Sequence, residues 1–149
     1  MQTIVGRPYY SVRPFQTLRD MLESCVSLYG DRTAFRFRDA FKKDPVTRTY
    51  ADFQQESRML GTALLNRGLG SKRLAVIGEN SYAWCLAFTA IVNGVGTAVP
   101  LDRLLPPDEV INLLERGEVD AVFCDAAFQP VMERAASLLP RLQTMILLR

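Results

Sequence analysis

Leu74-Ala75-Val76-Ile77-Gly78-Glu79-Asn80-Ser81-Tyr82-Ala83-Trp84 and, shortly after it, Ile91-Val92-Asn93-Gly94-Val95-Gly96-Thr97-Ala98-Val99-Pro100-Leu101-Asp102 decide the fold of this 149-residue chain. A run of four apolar residues closed by Gly78 reads as a buried strand. Asn80 or Ser81 then caps a helix through Trp84, Phe88, Ile91 and Val95. That helix is apolar nearly all round, which predicts burial. Gly94 and Gly96 punctuate the passage into a second apolar strand over 97–101.

The alternation continues downstream. Pro106-Pro107-Asp108-Glu109 is a helix start, with proline in the first turn and acids set against the dipole, and Gly117 ends that helix. Residues 121–124 form a third strand, 126–139 a helix and 144–148 a fourth strand. Strands alternating with helices across short turns define a parallel sheet covered by helices on both faces, with right-handed crossovers. A buried-type strand followed by Arg149 alone reads as a cut through a longer sheet, the alternative being a natural terminal strand.

Upstream, Phe15, Leu18, Met21, Leu22, Cys25, Val26 and Leu28 recur at helical spacing from Thr17, and Gly30 is the stop. Residues 34–38 alternate aromatic and basic faces (Phe35, Phe37; Arg36, Arg38), as an edge strand does. A charged loop over 39–45 leads to a short partner strand over 46–50. Thr49-Tyr50-Ala51-Asp52 has the form of a capping box with Asp in the last place. It opens a helix with Phe53, Ser57, Leu60 and Leu64 on one face, closing at Gly68 or Gly70.

Composition narrows the function classes. The chain is 48% hydrophobic and 23% charged with net charge +2, an ordinary globular balance that gives no reason to expect a nucleic-acid partner. Residues 1–50 hold nine Lys/Arg against five Asp/Glu, while 51–149 hold nine against eleven. The excess sits in Arg32, Arg36, Arg38, Lys42, Lys43 and Arg48. It reads as a solvated strand face and loop, or as a patch for anionic lipid or an acidic neighbour. Cys25, Cys85 and Cys124 form no C-x-x-C pair, so buried free thiols in a reducing cytoplasm fit best. The first ten residues lack a signal-peptide core. The most apolar stretch, 83–92, is far short of the roughly 20 residues that span a bilayer. A cytoplasmic location follows, with peripheral membrane contact left open.

Catalytic groups are sparse. The chain contains no histidine, which removes Ser-His-Asp and Cys-His triads, His-ligated metals and His acid–base work. Gly94-Val95-Gly96 leads from helix to strand, the reverse of a dinucleotide fingerprint, and Gly68-Leu69-Gly70 fails likewise. Asp102 and Gly78-Glu79-Asn80-Ser81 lie at the carboxyl end of the sheet, where open α/β folds place ligands. Asp102 is read as a turn carboxylate first and a ligand contact second, Ser81 and Asn80 as caps, Trp84 as core. Glu115 and Glu118 read as solvated surface.

Three stretches together resemble the amino-terminal region of the AMP-forming acyl-CoA synthetase and adenylation-domain superfamily. Arg48-Thr49-Tyr50-Ala51-Asp52-Phe53 is similar to its Leu-Thr-Tyr-x-Glu-Leu element. The two segments quoted first are similar to its strand, Asn-Ser turn and helix, and to its Leu-Lys-Ala-Gly-Gly-Ala-Tyr-Val-Pro-Leu-Asp motif. Residues 17–31 resemble its first helix, and 106–122 its helix–strand unit. Asn93 departs from the family's small residue or lysine, and Arg103-Leu104-Leu105 replaces a proline-containing turn. The phrasing leans toward the long-chain fatty-acid branch.

The resemblance implies the incomplete N-terminal part of an adenylation domain over 1–149, with a helix and edge strands in 1–50 and the alternating α/β unit in 51–149. It also implies a full-length ligase using ATP, Mg2+ and coenzyme A to convert a carboxylic acid, a long-chain fatty acid by that branch, to its acyl-CoA. The family's phosphate loop, its Tyr-Gly-x-Thr-Glu and Thr-Gly-Asp elements and its catalytic lysine have no counterpart here. The chain alone is therefore expected to be inactive and to bind none of these cofactors tightly, with no catalytic or metal residue. Arg103 is the nearest counterpart to a basic residue that lies near a coenzyme A phosphate in some relatives, and an ordinary surface arginine is the competing reading. Two other functions stay open: a stand-alone α/β binding or interaction module without catalysis, and a small doubly wound nucleotide-binding protein.

Overall fold

The structure, a computed structural model, describes residues 6–7, 10–11, 13–39 and 43–148. Lys42, the middle of the charged loop, Arg149 and most of the first ten residues lie outside that set.

Side chains that reach back to backbone amides start three of the helices. Helix α1, Leu18–Tyr29, and helix α2, Tyr50–Asn66, each open on a complete capping box, Thr17 with Asp20 and Thr49 with Asp52. The Asp thus serves as well as the usual Glu, its shorter carboxylate reaching the Thr49 amide at 2.9 Å. Helix α3, Tyr82–Ala90, is capped by the Ser81 hydroxyl, which accepts from the Trp84 amide at 3.1 Å. Between α1 and α2 lie β1, Thr33–Phe37, and β2, Val46–Thr49, paired antiparallel with a bulge between Thr33 and Phe35.

The remaining strands are β3, Arg73–Ile77, β4, Thr97–Pro100, β5, Ala121–Cys124, and β6, Thr144–Leu147. They form one parallel sheet in the order β4-β3-β5-β6. Helix α4, Pro107–Arg116, and helix α5, Gln129–Leu138, cover one face. Alternation along the strands sorts the core. Ala75, Ile77, Val122 and Cys124 face α4 and α5, whereas Leu74, Val76, Ala121 and Phe123 face α2 and α3. Side chains of β3 and β5 are fully buried or nearly so, apart from exposed Arg73, as strands covered on both faces must be.

Several expectations change in detail. The helix after β3 is only half-buried: Ala87 and Ala90 are its buried residues, and Trp84 stacks on Phe88 at 5.5 Å while partly exposed. It also stops at Ala90, where a π-turn over Ile91–Val95 takes up the chain with Gly94 at φ 128°. Helix α1 is amphipathic, but its apolar residues are too many for one face: Leu22 is buried while Leu18, Met21 and Leu28 stay more than 40% or about 40% exposed. The segment at 126–139 splits into a 3-10 turn, Ala126–Phe128, and α5. Gly117 is the C-cap of α4, but the left-handed residue is Glu118, at φ 48°. Of the three free thiols only Cys124 is fully buried.

Candidate functional site

From β3 the chain crosses by α3 to β4 on one side, whereas β5 and β6 lie on the other. The carboxyl ends of β3 and β5 are therefore the switch point, where such sheets receive ligands. The structure brings Gly78, Glu79 and Asp125 together there. The Asp125 carboxylate accepts the Glu79 amide hydrogen at 2.6 Å, and a Cβ on Gly78 would lie 2.6 Å from that carboxyl group. Glycine is required because the backbone must pass under the acid. A carboxylate thus occupies the position a nucleotide phosphate takes in doubly wound binding proteins. Glu79 and Asp102 add negative charge at this end of the sheet, and Arg103 is paired with Glu79 at 3.7 Å. Between β3 and β5 the Glu79 amide is thus already taken by Asp125, and Arg103 is the one cation described at this end of the sheet.

The residues singled out from sequence fall around this centre. The Asp102 carboxylate accepts from the Leu104 amide at 2.9 Å, a local turn contact. Arg103 follows it, its side chain 49% exposed, with Glu79 as its ion-pair partner. Asn80 is exposed and Ser81 is the cap. Asp125 was not legible as a site residue. Its signal is an acid directly after one apolar strand with a glycine directly after the neighbouring one, which means something only once β3 and β5 are known to be adjacent.

A second polar centre ties the hairpin to the sheet unit. Glu56 on α2 accepts from Arg48 Nε at 2.6 Å and from the Tyr82 hydroxyl at 2.6 Å. The Tyr82 ring stacks on Phe37 at 4.7 Å and meets Phe35 and Phe53 edge-on. Burial, and then the Glu56 carboxylate, push the Tyr82 phenol well above its ordinary range. A phenol held protonated against a carboxylate is a structural clasp.

At the opposite, amino end of the sheet lies Asp120, 8% exposed. It accepts the Arg73 amide at 2.9 Å and Arg141 Nε at 3.1 Å, with Lys72 at 3.6 Å. Burial pushes its carboxyl up, but these donors outweigh that and hold it below the usual range. Glu118, expected as solvated surface, pairs with Arg73 and Arg141. Among the described residues no three Asp, Glu or Cys side chains come together in a way that could hold a metal ion, and no helix is long and apolar enough to cross a membrane.

Fold and site together define a parallel α/β unit with an acid, Asp125, at its switch point. The family model described as AMP-binding enzyme matches residues 22–149, and the chain belongs to that family. Among curated relatives, the mitochondrial medium-chain acyl-CoA ligase ACSF2 of Danio rerio is 29% identical over 139 residues, 90% of this chain and 22% of that protein. Tyrocidine synthase 3 of Brevibacillus parabrevis is 25% identical over 126 residues, 84% of this chain and 2% of that protein. Among solved structures, the anthranilate CoA ligase AuaEII in complex with anthranoyl-AMP superposes with a TM-score of 0.79 at 22% identity, over 91% of this chain and 25% of that one. The Mycobacterium tuberculosis fatty acyl CoA synthetase gives 0.75 at 23% identity, over 88% and 26%. These two likenesses concern the fold. The chain spans about a fifth of the curated ligase's length and less of the synthase's.

Proposed function

We propose that the chain is the amino-terminal portion of an ATP-dependent, AMP-forming ligase that activates a carboxylic acid, in our reading a long-chain fatty acid, as its acyl-adenylate and passes it to coenzyme A. The observation that carries this reading is the family match over 22–149. The ordered motifs and the acyl-CoA ligase relative support it. Magnesium ATP and coenzyme A are the co-substrates of the whole enzyme, which we place in the cytoplasm.

The portion in hand is inactive in this reading, because a carboxylate fills its switch point and its polar centres are structural clasps. Its contribution is scaffold, plus one contact: Arg103, half-exposed with one ion-pair partner among the described residues at 3.7 Å, is free enough to exchange Glu79 for a coenzyme A phosphate.

Two measurements test the proposal. The reading frame beyond Arg149 is expected to encode a Ser/Thr/Gly-rich loop ending in Pro-Lys-Gly, and its product to release AMP and pyrophosphate only when fatty acid and coenzyme A are supplied. A frame without that loop sinks the ligase reading. Residues 1–149 alone are expected to form no acyl-CoA, and turnover by them would overturn the scaffold assignment. A non-catalytic interaction module is the second reading, favoured by the open edge of β6, which has no Pro to block pairing.

A further inference from the structure

Four cations and two carboxylates meet at the amino ends of the strands. Arg67 follows α2, Lys72 and Arg73 enter β3, Arg141 precedes β6, and Glu118 and Asp120 lead into β5. The group carries two surplus positive charges inside a stretch, 51–149, where acids outnumber bases. Asp120 is committed inward, to the Arg73 amide and to Lys72 and Arg141, and so fixes where those two cations stand. Glu118 is taken by Arg73 and Arg141. Arg67 has no ion pair among the described residues. Arg67, Lys72, Asp120 and Arg141 line a cleft of about 390 Å3, still with two surplus positive charges, together with Gln143 and Thr144, which add neutral hydrogen-bond donors.

We propose that this cleft binds a phosphate group, either inorganic phosphate or the terminal group of a small phosphomonoester. The charge fits: such a group carries about −1.5 to −2 at neutral pH, which neutralises the surplus, whereas a carboxylate would cancel only half of it. The chemistry fits as well. Arg67 and Arg141 offer planar donor forks suited to phosphate oxygens, and Lys72 adds a point charge in the same cleft. The site stands at the pole of the sheet opposite the switch point, so it is independent of the ligase reading.

The test is an amide-resolved NMR titration of the 149-residue chain with inorganic phosphate and, separately, glycerol 3-phosphate, at an ionic strength matched with sodium chloride. Saturable shifts at residues 67–72 and 141–144 are expected, with a Kd below about 1 mM. Arg67→Gln and Lys72→Gln are each expected to weaken binding about tenfold; among the described residues Arg67 makes no ion pair whose loss would disturb folding. Tighter binding of the ester assigns the site to phosphomonoesters, and equal or tighter binding of the free ion to inorganic phosphate. Shifts reproduced by chloride, shifts that do not saturate, or affinity unchanged in both variants would overturn the proposal.

Discussion

Gly78 and Asp125 show how one atom decides the character of a site. Gly78→Ala places a methyl 2.6 Å from the Asp125 carboxyl group, and overpacking of this kind costs about 1–3 kcal/mol. Urea unfolding should show that loss, and the loss should shrink in an Asp125→Ala background, because the clash needs both partners. Cys124 carries a pH prediction. Burial pushes its thiol up from 9 to about 11. The folded state therefore keeps its proton where the unfolded state has released it. Its contribution to stability is full below pH 9 and is lost as pH rises toward 11. Cys124→Ala should flatten that part of the stability–pH curve, leaving the shares due to Cys85 and Tyr82, whose groups are also raised by burial. For Arg103, Arg103→Ala in the whole enzyme should raise KM for coenzyme A about tenfold with kcat little changed, since the contact proposed is uniform binding. An unchanged KM would return Arg103 to ordinary surface.

At the level of elements, what is local in cause was legible in sequence. The Thr49–Asp52 capping box, the Ser81 cap, the hairpin with its aromatic inner face and all four strands of the parallel sheet follow from residues within a few positions of one another, whereas the equally local Thr17–Asp20 box went unread. The π-turn was not legible, because Ile91-Val92 continues the helical spacing and only packing decides that the helix ends. Gly96 explains the departure: a Cβ there would collide with the Lys72 backbone, so the chain must cross tightly at that point. The caps make a direct prediction. Thr49→Ala should cost about 1 kcal/mol, read as a lower thermal midpoint. At the other end of α4, Glu118 sits at φ 48° as the residue that closes the helix, with its amide on the Glu115 carbonyl and that of Val119 on Leu114. Glycine prefers this geometry, so Glu118→Gly should stabilise the chain by up to about 1 kcal/mol despite two exposed ion pairs lost.

For the whole molecule, the strand order was out of reach of sequence alone, since apolar runs mark strands without saying on which side each one joins. That is why Asp125 and the amino-end cation group went unrecognised: their members are 46 or more residues apart in one case and drawn from three separate loops in the other. The order also makes the two edges unequal. Edge strand β4 contains Pro100, which has no amide hydrogen to offer, whereas β6 has no proline and exposes Met145 at 38%. The isolated chain should therefore self-associate with rising concentration in sedimentation velocity, and Met145→Lys should suppress it. Equal association in that variant would place the contact elsewhere. Finally, the half-covered α3 carries the chain's single tryptophan, Trp84, stacked on Phe88. The molecule thus has a built-in optical gauge: whatever segment or partner comes to lie over that helix must dry the indole and move its emission to shorter wavelength, without any label being added.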